Sequence, residues 1–217
     1  MTVPVQDVTS YTATTTITAT GGSGASGLIA AIVGWGSSSA TMTNVKLGTT
    51  ALTQAVFKSG NQLTAFLYTW IFYLENCPSG GTSLAITSSG LTFANNNNGG
   101  GIRILEIPGK ATLDKTASAS GSSTAASSGS TAALSTSNEF AVGLSRTFNT
   151  TSTQPSGWNN IPALGNYISC GYKNVTDGSA QSYDLTQSSS AGWAAVLASF
   201  ITGSVAPSSS SFAGMFP

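Results

Sequence analysis

The stretch Leu63-Thr-Ala-Phe-Leu-Tyr-Thr-Trp-Ile-Phe-Tyr-Leu74 decides the fold. Successive side chains of a strand point to opposite faces. One face would carry Leu63, Ala65, Leu67, Thr69, Ile71 and Tyr73, the other Phe66, Tyr68, Trp70, Phe72 and Leu74. Neither face is polar, and the run is rich in the aromatic and β-branched residues that suit a pleated surface. A buried helix would have the same hydropathy. Asn61 before the run and Asn76-Cys-Pro-Ser-Gly-Gly81 after it are turn chemistry, and no helix cap precedes it. The run reads as a central strand, covered on one side by a core and on the other by a second sheet or a neighbouring subunit.

Working outward, the same period recurs. Thr9–Thr20 alternates as a strand exposed on one face, and Leu28-Ile-Ala-Ala-Ile-Val33 is a strand buried on both sides that ends at Gly34-Trp-Gly36. Asn44–Gly48 and Ala51–Phe57 form a hairpin around Gly48-Thr-Thr50. Further strands are expected at 82–87, 102–107, 138–145, 167–172 and 180–185. The stretch 192–201 has some helical appeal through its alanines but reads as a last strand. Pro108-Gly109 and Asp177-Gly178 are turns, and 95–101 is a loop or hairpin tip. Residues 117–133 are almost wholly Ser, Ala, Thr and Gly, which fits either a long loop or a small-residue strand at a tight interface. The expected fold is all-β: an antiparallel β-sandwich of jelly-roll type with about a dozen short strands. It comprises an N-terminal arm over 1–9, the sandwich over 10–202, and a C-terminal arm over 203–217. That arm ends in the apolar tip Phe212-Ala-Gly-Met-Phe-Pro217, suited to a partner's groove.

Charge and reactive side chains narrow the function. Charged residues make up only 6% of the chain, seven basic against seven acidic, where an average soluble protein has about 25%. A surface so poor in charge fits one covered by partners. The scattered lysines and arginines argue against nucleic acid, and no apolar run is long enough for a bilayer. No signal peptide is visible, so synthesis in the cytoplasm is expected. Histidine is absent, which removes Ser-His-Asp and Cys-His sites and His-based zinc sites. Cys77 and Cys170 read as two buried free thiols. Glu75 with Glu106, or Glu106 with Glu139, could be neighbours across strands, but two carboxylates facing a sugar cleft are not evident. Asp177 with Asp184 makes a thin calcium case. No catalytic residue, cofactor or metal is expected. Trp35 and Trp158, with Tyr172, could stack on sugar rings, although aromatics more often pack in cores.

Several stretches in order resemble a domain that recurs in structural proteins of tailed bacteriophages. They are 28–35; the Asn44-Val-Lys-Leu-Gly-Thr-Thr-Ala-Leu-Thr53 hairpin; Thr69-Trp-Ile-Phe-Tyr-Leu-Glu-Asn-Cys-Pro-Ser-Gly80; Ile104-Leu-Glu-Ile-Pro-Gly109 followed by Leu113-Asp114; the Ser/Ala/Thr/Gly stretch before Asn138-Glu-Phe-Ala-Val-Gly143; and Gly192-Trp-Ala-Ala-Val-Leu-Ala-Ser-Phe200. The resemblance covers most of 10–202 and supplies no catalytic motif. It implies a virion component of the capsid decoration (cement), head-fibre or tail-associated kind. The expected partners are copies of the chain, as a trimer, and a major capsid or other virion protein. The interface candidates are Phe66, Tyr68, Trp70, Phe72, Phe212, Met215 and Phe216. A carbohydrate-binding module for host-surface adhesion is the alternative.

Overall fold

The computed structural model describes residues 4, 6–10, 12–19, 26–62, 65–78, 80–93, 100–153, 155–160 and 166–203. Among them there is no helix, and the strands form two antiparallel sheets. The first holds β1 (Gln6–Ser10), β2 (Thr14–Ala19), β3 (Ser26–Leu47), β4 (Thr50–Ala51), β5 (Thr53–Gln62), β6 (Ala65–Leu74), β7 (Gly80–Thr92) and β8 (Gly101–Pro108). The second holds β9 (Ala111–Ser127), β10 (Glu139–Thr147), β11 (Thr151–Thr153), β12 (Asn159–Asn160), β13 (Ile168–Val175) and β14 (Asp184–Thr202). The β-sandwich expected from the periodicity is therefore the architecture.

Leu63 and Thr64 lie outside the described residues, and residues 65–74 of the quoted stretch are β6, lying between β3 and β5. Its odd face, with Ile71 and Tyr73, joins a core shared with the second sheet: Ile29, Ala31 and Val33 of β3 meet Phe140, Val142 and Leu144 of β10 and Val196, Ala198 and Phe200 of β14. Thr69 is tolerated on that face because its hydroxyl donates to Lys58 O at 3.0 Å. The even face is covered by the first sheet folding over itself. Tyr68, Trp70 and Phe72 share a cluster with Leu28 and Ile32 of β3's first half, and with Val45, Leu47, Leu84 and Ile86 from its second half and β7.

The fold-over occurs within β3, which is longer than the expected 28–33 strand. It runs on through Gly34-Trp-Gly36 and Ser37–Ala40 to pair with β7, with a register shift between Gly36 and Thr41. Such a bulge is how a strand turns a corner between layers. Gly36 is required there: an added Cβ would stand 2.3 Å from Gly90 O. The first half of the chain thus alternates between two layers, with β1, β5, β6, β8 and the start of β3 in one, and β2, β4, β7 and the end of β3 in the other. A jelly roll alternates strands in this way; the second sheet instead uses only the chain after Pro108.

Other expectations resolve locally. The 46–51 hairpin is present, with Gly48 at φ 59° in its turn. Residues 6–9, expected in an arm, lie in β1, paired with β8. The Ser/Ala/Thr/Gly stretch divides: β9 is a strand along β14, and 128–134 is irregular. Asp177-Gly178 turns the chain with Gly178 at φ 67°, but the next strand starts only at Asp184 and β10 lies between β13 and β14. The thiols are free and buried, Cys77 in the outer core and Cys170 in the inter-sheet core.

Candidate functional site

Three of the proposed interface aromatics are core residues of this chain. Tyr68 and Trp70 are each 4% exposed and Phe72 is 7%. Tyr68 also donates its hydroxyl to Ser37 O at 2.6 Å. The physical reason is the β3 corner: the layer that covers these rings comes from the same chain. Phe66 packs against the cluster from its margin. Phe212, Met215 and Phe216 lie outside the described residues. Phe57, which sequence reading did not single out, is 39% exposed and extends the buried aromatic row to the surface of β5.

Trp35 is half-buried and already occupied. Its ring lies 5.5 Å from that of Phe148, and the Arg146 guanidinium sits 6.0 Å from its centroid and 5.3 Å from that of Tyr167. Burial lowers the pKa of Arg146, and the aromatic faces around it offset part of that cost. Tyr172 stacks on Phe140 at 5.2 Å with Arg103 above it at 5.7 Å. Arg103 is in turn bound through two nitrogens to the Asp7 carboxylate. Neither ring is among the residues that line the cleft at Trp158.

Trp158 lines an open cleft of about 390 Å³, with Pro155, Ser156, Lys173, Gln181, Ser182 and Asp184 among its walls. Behind Trp158 the packing is made by a buried tyrosine and two glycines. Gly143 and Gly171 have no side chains, so the Tyr183 ring lies against the sheet. Its hydroxyl meets Ser169 Oγ at 2.6 Å and donates to Asn160 Oδ1 at 3.2 Å. Burial pushes the pKa of that phenol well up, so it stays a neutral hydrogen-bonding group. Trp158 stands edge-on to Tyr183 at 4.9 Å and packs on Leu134, Ala141 and Val175. Gln181 is buried with its side-chain nitrogen held by Ser179, and its Oε1 accepts from Lys173 Nζ at 3.0 Å. The Asp184 carboxylate accepts from Ser127 and Ser182. The tryptophan was legible in the sequence; Lys173 and Gln181 were not, because only the register of β13 and the 178–183 segment brings them together.

The structure also brings together a carboxylate pair that spacing did not suggest. Asp114 sits at a bulge of β9 opposite Ser199, and Glu139 starts β10; the two side chains interact. Burial alone would raise the pKa of Asp114, but hydrogen bonds from Lys115 and Ser135 outweigh it and hold the carboxyl well below its usual range. Burial and the adjacent Asp114 charge raise that of Glu139 despite support from Ser199 and Thr136. Glu139 is 3% exposed and Asp114 is also shielded, so the pair is largely closed off from solvent. Glu106 is likewise buried and accepts from Ser26 Oγ at 2.7 Å. Among the described residues no group of three His, Cys, Asp or Glu could hold a metal ion.

Comparison with known proteins finds no match: no family model, curated protein or solved structure resembles the chain closely enough to place it.

Proposed function

We propose that this chain is a structural protein of a bacteriophage virion, most simply a capsid decoration protein that binds copies of itself, as a trimer, and a major capsid protein. The observation that carries the reading is the near absence of surface charge. Of fourteen charged residues, four (Arg103, Glu106, Glu139 and Arg146) are buried. Asp7 is committed to Arg103, and Lys115 to Asp114. What remains is a hydroxyl-rich exterior with a handful of charges on 217 residues. A free monomer usually relies on mixed surface charge to stay dispersed; a subunit walled in by neighbours does not need it.

The open strand edges support the same reading. β9 pairs with β14 along one side, and no described strand pairs with the other. After Lys115 this edge has no charge or proline to blunt it. An edge of this kind can accept a strand from a neighbour by main-chain hydrogen bonding. With Tyr68, Trp70 and Phe72 used internally, edges and hydroxyl faces take the role first assigned to those rings. The resemblance to tailed-phage structural domains points the same way.

Light scattering on the purified chain tests the self-association. A trimer at micromolar concentration is expected, with an interface of roughly the 1,200–2,000 Å² that stable complexes bury. A monomer at all attainable concentrations would remove the trimer from the reading.

A further inference from the structure

We infer that the cleft between Trp158, Lys173 and Asp184 binds a neutral saccharide through vicinal hydroxyl groups. The inference does not depend on where the protein resides.

The cleft has one aromatic wall, two small apolar residues in Pro155 and Ala180, and otherwise polar lining. The apolar C–H face of a sugar ring packs against an indole, while its hydroxyls need partners that both donate and accept. Those partners are present. Asp184 accepts one hydroxyl at each carboxylate oxygen, from Ser127 and Ser182, which leaves free lone pairs on both oxygens. Lys173 gives one N–H to Gln181, which leaves two more on its ammonium group. A vicinal diol can donate to the first and accept from the second.

The charge balance selects against other ligands. One lysine and one aspartate line the cleft, whereas phosphate and carboxylate ligands are usually met by clustered cations with a bidentate arginine. The lining also lacks the apolar area that a lipid or drug-sized molecule would need. At about 390 Å³ the cleft is at the small end of ligand sites, which span about 300–1,000 Å³, and suits a short saccharide. The site is also held in place before any ligand arrives. Gln181 is fixed by Ser179, by Lys173, and by a Thr131 hydroxyl accepting from its backbone N–H at 3.0 Å. Trp158 is braced on Tyr183. Preorganisation of this kind lowers the entropy cost of binding.

The test is two-dimensional NMR of the full chain labelled at its four tryptophan indoles. It is titrated with methyl glycosides of glucose, galactose, mannose and N-acetylglucosamine, with polysaccharides of the same sugars, and with inorganic phosphate and N-acetylneuraminic acid. At least one neutral sugar should shift the Trp158 indole saturably with a Kd on the order of millimolar, leaving Trp70 and Trp193 in place. Asp184→Asn and Lys173→Met should each weaken that binding by roughly tenfold, the loss of one charge-assisted hydrogen bond. Both variants should keep the wild-type spectrum elsewhere. Binding to glycoside or polysaccharide supports the site, and the tighter of the two identifies the source. No shift of Trp158 with any neutral sugar, a stronger response to phosphate or the acidic sugar, or unchanged affinity in Asp184→Asn would overturn it.

Discussion

Tyr183 lies with its ring against the backbone of Gly143, so close that a Cβ added to Gly143 would stand 2.2 Å from Tyr183 Cδ2. The same ring is the one Trp158 stands edge-on to, and it joins an irregular segment to β10. Gly143→Ala must therefore displace the ring and disturb its hydroxyl contacts with Ser169 and Asn160. The expected loss is about 1–3 kcal/mol, the range for overpacking a filled core. Denaturant titration checks it, and an unchanged midpoint would mean that Tyr183 packs elsewhere.

Trp70 and Phe57 face each other across β6 and β5 with ring centroids 5.2 Å apart, yet one is 4% and the other 39% exposed. Their substitutions should separate accordingly. Trp70→Ala empties a core position and should cost about 3–5 kcal/mol. Phe57→Ala should cost clearly less, because its ring is already partly in water. Equal losses would show that the outer layer does not cover β6 as described.

Both faces of β6 were legible because its period-two pattern has no polar register. What covers the second face was not legible. Gly34, Gly36 and the serines 37–39 have the composition of a turn, but β3 passes through them as a strand rounding a corner. Local chemistry signals a bend without saying whether pairing resumes after it. The choice between loop and strand at 117–133 was open for a similar cause, since small residues neither demand burial nor forbid pairing. β14 selects the strand there by offering a long partner. The Asp114–Glu139 pair depends on a bulge in β9, and no spacing rule reaches across strands that far apart in sequence.

Asp114 predicts an acid-dependent stability. Its carboxyl is held well below the value of about 4 that an unfolded aspartate has. The unfolded chain therefore takes up this proton first as pH falls. The stabilisation is complete above about pH 4–5 and declines progressively below it. Asp114→Asn should destabilise the protein at pH 7, and the gap to wild type should narrow by pH 3. Denaturant titrations at the two pH values measure this; a gap of constant size would contradict the assignment.

The thiols predict the opposite limb. Burial pushes both up to about 11, aided by the Glu106 charge at Cys77 and the Asp7 charge at Cys170, where Arg103 opposes. An unfolded cysteine ionises near about 8.5. Between those values the unfolded chain has lost thiol protons that the folded chain keeps, so stability is full below about pH 8.5 and is lost as pH rises towards about 11. The double variant Cys77→Ala/Cys170→Ala should begin less stable, because it creates cavities, but its stability should fall less steeply between pH 8 and 10.5. Parallel slopes would indicate that the thiols are not buried as described.

The proposed virion subunit, with so little surface charge, should be covered by neighbours in its working state. Cryo-electron microscopy of purified phage particles whose genome encodes this chain addresses that directly. Density for the two-sheet sandwich is expected at positions repeated by the symmetry of the shell, in groups of three, with strand edges or hydroxyl faces at the contacts. Particles that lack the chain altogether, while it accumulates as a free monomer in the lysate, would contradict it.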